Sequence, residues 1–164
     1  MQQFELVSEY STTAPKLFNL LCTPAFQEAL AFRFGALEVK AVEIEKKSPL
    51  IRMKIERLDP GWSVMGGLIK GKPLRAVVIH DWNTATMQNE WNRYFLDQGK
   101  NVTIEGKITV EPMGAEACRM IESGLIEIKT PLTGKGLEKK LYSKLLEIQP
   151  RRVDFIMKRL GLSV

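Results

Sequence analysis

A chain of 164 residues, 45% hydrophobic and 26% charged, has the usage and length of one globular domain, which excludes disordered, collagen-like and disulfide-scaffold classes. Its formal net charge of +5 is uneven: residues 131–164 hold 8 Lys/Arg against 3 Asp/Glu, and the remainder is balanced at 16 against 16. Two cysteines, Cys22 and Cys118, sit in apolar surroundings and only one histidine is present, so both thiols read as reduced core residues, with no metal and no cofactor implied. Glu5 and Glu9 near the start argue against a signal peptide, and no apolar run reaches membrane-spanning length. A reducing, cytoplasmic setting is the default expectation.

In chain order, Phe4, Leu6, Ser8 and Tyr10 alternate with Glu5, Val7 and Glu9, which predicts a half-buried strand. Thr12 and Thr13 then offer capping oxygens and Pro15 suits a first turn, so Leu17, Phe18, Leu20 and Leu21 fall on a short helix. Thr23-Pro24 repeats the device, and Gly35 closes a second short helix containing Phe26, Leu30 and Phe34. Six strands follow, at about 36–46, 50–58, 73–82, 86–96, 102–111 and 118–129. The clearest places Val102, Ile104, Gly106, Ile108 and Val110 on one face and Thr103, Glu105, Lys107 and Thr109 on the other. Short turns at residues 97–101 and 112–114 require antiparallel pairing.

After Thr130-Pro131 one helical pattern continues almost to the end. Leu137, Leu141, Leu145, Ile148, Phe155 and Ile156 share a quadrant, widened by Tyr142, Leu146, Val153 and Leu160. Lys139, Lys140, Lys144, Glu147, Arg151, Asp154 and Lys158 occupy the opposite side, so this helix carries the whole positive excess. Pro150 predicts a bend or break near Gln149. A basic face of this kind can dock transiently on an anionic membrane or an acidic partner. Arg151 and Arg152 lack interleaved aromatic residues, which leaves nucleic acid as an unfavoured partner. The sequence carries no signal for oligomeric state.

The order strand, two short helices, six strands, long helix resembles the START-like (SRPBCC) helix-grip superfamily, and within it a bacterial branch. Local support comes from Tyr10 with Ala14-Pro15-Lys16-Leu17-Phe18, from Thr23-Pro24-Ala25-Phe26, and from Pro131-Leu132-Thr133-Gly134-Lys135-Gly136-Leu137-Glu138. The resemblance covers nearly the whole chain and implies a single α+β domain, residues 1–164, in which a curved seven-stranded antiparallel sheet grips the C-terminal helix. It also implies a cavity between sheet and helix for a lipid-like or other hydrophobic small molecule. An empty apolar void of about 300 Å³ costs on the order of 7 kcal/mol, so such a cavity holds a guest, holds water, or collapses.

Alternation nominates the residues facing a guest: Met87, Asn89, Trp91, Arg93 and Phe95 on one strand, Met120 and Glu122 on another, and Leu141, Leu145 and Ile148 on the helix. Arg93 and Glu122 are candidates to meet across the small Gly106 and orient a polar head. Residues 60–72 combine four glycines with Trp62, Met65, Leu68 and Ile69, which suits a portal. His80 can do acid–base work if it faces the cavity, an enzymatic alternative would use Arg93, Glu122 or His80, and Glu138 reads as a first-turn helix-dipole partner. No phosphate loop or zinc spacing is present. Noncovalent binding of a hydrophobic ligand is therefore expected. A cyclase, dehydratase or hydrolase, and a cavity-independent interaction module, are the alternatives.

Overall fold

The computed structural model describes residues 1–60, 72–97 and 101–162. The elements are β1 (Gln2–Tyr10), α1 (Ala14–Leu21), α2 (Pro24–Arg33), β2 (Glu38–Lys47), β3 (Leu50–Asp59), β4 (Leu74–Asn83), β5 (Gln88–Phe95), β6 (Val102–Pro112), β7 (Cys118–Ile128) and α3 (Gly134–Arg159). The strands form one antiparallel sheet in the order β1-β7-β6-β5-β4-β3-β2. Strands consecutive in the chain from β2 to β7 are neighbours in the sheet, while β1 joins β7 across the length of the chain.

Sequence chemistry accounts for the starts of the short helices. Thr13 caps α1 by accepting a hydrogen bond from Lys16 N–H at 3.3 Å, with Pro15 behind it. Thr23 occupies the N-cap position of α2, but its hydroxyl donates to Leu20 O at 2.8 Å and makes no side-chain cap. Gly35 ends this segment with φ at 98°, a left-handed geometry that glycine adopts without a Cβ penalty.

One face of the sheet is buried beneath the helices. α3 lies along β1 and β7, α1 sits on β6, and α2 covers β2 and β3. The C-terminal part of α3 is fastened to α2: Phe155 meets Phe26 at 5.9 Å and Arg151 lies over the Phe34 ring at 5.8 Å. Both cysteines are buried and unpaired.

The anticipated break at Pro150 does not occur, and α3 runs unbroken through it. Pro150 is on the solvent side and Leu146, whose carbonyl loses its intrahelical donor, is 46% exposed. Water can therefore satisfy the freed carbonyl. Met87, expected within the fifth strand, falls in the β4–β5 turn with φ at 50°.

Candidate functional site

The inner face of the sheet is built from cross-strand rows fixed by register. One row reads Leu6, Glu122, Ile108, Asn89, Trp82, Ile51; the next reads Phe4, Gly124, Gly106, Trp91, His80, Met53. The second row is thinned at its centre by the two glycines. A Cβ on Gly106 would come within 2.6 Å of Ser123 O and 2.9 Å of the Trp91 ring, and one on Gly124 would collide with Glu105 O and the Phe4 ring. Trp91 and Phe4 thus lie flat in space that side chains would otherwise fill.

Two apolar clusters occupy the interior. One gathers Tyr10, Phe18, Met53, Trp82, Met120 and Ile156, and the other gathers Phe4, Leu74, Phe95, Ile126 and Ile128, with Leu141, Tyr142 and Leu145 of α3 packed against it. Trp91 touches both clusters. Polar side chains lie between them. His80 is 8% exposed, stacks on Trp82 at 5.2 Å, and accepts a hydrogen bond at Nδ1 from Asn89 Nδ2 at 2.9 Å. That bond places the ring proton on Nε2. Burial lowers the His80 pKa from 6.5 to about 4, so the imidazole is neutral near neutral pH and is a weak base.

Across the sheet, Arg152 of α3 approaches the buried Glu122 to 2.5 Å. Ser8 donates to the Tyr10 hydroxyl at 3.1 Å nearby. Burial raises the Tyr10 pKa, against the opposing influence of Ser8 and Arg152. Several buried atoms in this layer have no hydrogen-bond partner among the described residues: both amide atoms of Gln149, Arg152 Nε and Nη2, Glu122 Oε2, Asn89 Oδ1, and the indole nitrogens of Trp82 and Trp91. The Arg152–Glu122 contact is therefore an ion pair without good hydrogen-bond angles. Unmade hydrogen bonds of this kind cost roughly 1–3 kcal/mol each, so the layer is a place where a polar guest gains much.

The anticipated meeting of Arg93 and Glu122 is corrected. Arg93 pairs with Ile104 and Glu122 with Ile108, four residues apart on β6 and about 13 Å along the strand. Arg93 instead bonds Asp59, which also binds Arg57 at 2.6 Å, and the Arg93 guanidinium lies 5.1 Å over the Phe95 ring. Burial and the neighbouring Arg57 lower the Arg93 pKa to about 10, which leaves it charged at neutral pH. Glu138 is corrected as well. It is buried and accepts hydrogen bonds from Ile128 N–H at 2.8 Å and from the Met1 ammonium at 2.7 Å, so it ties α3 to the end of β7.

Of the other nominated residues, Asn89, Phe95 and Met120 are buried and Trp91 is half-buried, all on the inner face. Leu141, Leu145 and Ile148 are only half-buried on α3. Trp62, Met65, Leu68 and Ile69 lie outside the described residues. Gln149, Arg152 and Asp59 are additions. Arg152 was detectable in principle, because it stands midway between Ile148 and Ile156 on the apolar stripe, where a solvated arginine is out of place. A hollow of about 1000 Å³ is bounded by Phe4, Trp91, Gly106, Gly124 and Tyr142 together with outward-facing Glu5, Glu90, Glu105 and Lys107, and it is open to solvent. Among the described residues, no group of His, Cys, Asp and Glu is placed to hold a metal, and no helix is long and apolar enough to cross a membrane.

A seven-stranded antiparallel sheet, two short helices after its first strand and a long final helix define the helix-grip fold of START-like proteins. Solved structures of that class align over nearly the whole chain. One is a START superfamily protein from Mycobacterium smegmatis, with a TM-score of 0.58 and 16% identity over 96% of this chain and 98% of that one. The Zhui aromatase/cyclase from Streptomyces sp. R1128 gives 0.64 and 11% over 98% and 93%. Norcoclaurine synthase from Thalictrum flavum, in complex with dopamine and hydroxybenzaldehyde, gives 0.64 and 12% over 97% and 86%. At these identities the likeness is one of fold. No family model and no curated protein matches the sequence.

Proposed function

We propose that the protein binds a lipid-like or other hydrophobic small molecule noncovalently between the inner face of the sheet and α3, and that it carries this molecule between membranes or enzymes. The observation that supports the reading is the half-buried apolar stripe of Leu141, Leu145 and Ile148 above a sheet row thinned by Gly106 and Gly124. The Trp91 and Phe4 rings lie against those two glycines and border the open hollow. A guest that packs over those rings gains roughly 25 cal/mol for each Å² of its apolar surface removed from water. The exposed Lys139, Lys140, Lys144 and Lys158 on the outer side of α3, with the fully exposed Leu132 at its start, fit transient contact with an anionic bilayer in a cytoplasmic setting.

Native mass spectrometry of gently purified protein, before and after incubation with phosphatidylglycerol vesicles, tests the proposal. A reproducible added mass identified as lipid is the expected result. A chain that stays unliganded under both conditions overturns it. An enzymatic version of the same reading rests on His80, which faces inward beside Trp91 at 6.5 Å, and predicts turnover lost in His80→Gln with folding retained.

A further inference from the structure

The unpartnered polar atoms beneath α3 point to a more specific guest. From Glu138, which holds the Ile128 amide, to Arg152, which holds Glu122, the helix advances about 21 Å at 1.5 Å per residue. Over the same interval β7 advances about 20 Å between Ile128 and Glu122. Helix and strand therefore run in step, and Gln149, one turn before Arg152, stands above the stretch of β7 between Glu122 and Gly124. Beside that stretch lie Gly106 and then Trp91, whose ring is flat on the sheet.

We infer, building on the proposed function, that Gln149 and Trp91, flanked by the Arg152–Glu122 pair, recognise the carbonyl or hydroxyl oxygens of a neutral, planar ring compound. The donors Gln149 Nε2, Trp91 Nε1 and Arg152 Nε are buried without partners among the described residues, so they seek acceptor oxygens, while Gln149 Oε1 accepts a hydrogen bond from a hydroxyl. The pair of opposite charges leaves no net charge to balance an ionic ligand. The Trp91 and Phe4 rings lie against the two glycines, and such ring faces stack better on an aromatic body than on a branched chain.

Isothermal titration with a matched pair, 2-naphthol and 2-methylnaphthalene, tests the inference, since the two differ by one hydroxyl at equal size. The native chain is expected to prefer 2-naphthol by about tenfold, the worth of one hydrogen bond in a buried site. Gln149→Leu is expected to lose that preference while its Tm stays level or rises, because it deletes two unpaired polar atoms, and Trp91→Phe is expected to weaken the preference. Equal affinity for both probes in the native chain overturns the inference and leaves hydrophobic binding standing. Binding of neither probe overturns the inference too, while the lipid mass measurement still decides the broader proposal. A preference that survives both substitutions, or a Gln149→Leu chain that unfolds, overturns the assignment of Gln149 and Trp91.

Discussion

Because His80 is the one histidine of the chain, its environment can be read directly from the pH dependence of stability. Burial against Trp82 lowers its pKa from 6.5 to about 4. The unfolded chain thus takes up a proton as pH falls below 6.5, whereas the folded chain takes it up only near 4. The stabilisation from keeping His80 neutral is complete above pH 6.5 and drains away between 6.5 and 4. With those two values, linkage gives a loss of about 2 kcal/mol between pH 7 and pH 5, a range in which most carboxylates remain ionised. For a chain of this size that lowers Tm by roughly 4–8 °C. Urea denaturation at closely spaced pH values, on the native chain and on His80→Gln, measures the slope. The native slope should be steep and the variant's shallow. A ring-proton titration by NMR centred near 6.5, or equal slopes in the two proteins, would refute the burial argument.

Removing Arg152 should be far more damaging than its place on a mostly exposed helix suggests. Arg152→Met leaves the Glu122 carboxylate buried and unpaired and should cost about 3–5 kcal/mol in chemical denaturation, whereas Glu122→Met with Arg152→Met should recover most of the loss. Additive single-mutant costs would show that the pair is not coupled. Gly106→Ala should destabilise by about 1–3 kcal/mol, because the new methyl meets the Ser123 carbonyl, which cannot swing aside, as well as the Trp91 ring. Thermal unfolding measures this, and a neutral Gly106→Ala would mean that the inner row is looser than its register implies.

The elements were legible because their causes are local. Alternation in Phe4–Tyr10 and Val102–Val110, the Thr13 cap of α1, the first-turn prolines Pro15 and Pro24, and the long apolar stripe of α3 depend on the period of the backbone and on helix-start chemistry. Boundaries shifted only by residues such as Met87, whose left-handed φ ends the β4–β5 turn. The inward set Asn89, Trp91, Arg93, Phe95 and Glu122 was also legible, since strand alternation decides facing once one face is apolar.

Partnership was not legible, because it depends on register and on what the helix brings from above. Sequence spacing cannot reveal that Arg93 and Glu122 sit two inner-face rows apart, that Asp59 reaches Arg93 from β3, or that Arg152 descends onto Glu122. Nor can it reveal that Glu138 turns inward to hold the end of β7. Local periodicity fixed which side chains enter the interior. Only the tertiary pairing of strands and the seating of α3 decided which of their charges meet and which of their hydrogen bonds stay open, because those outcomes turn on distances between segments far apart in the chain.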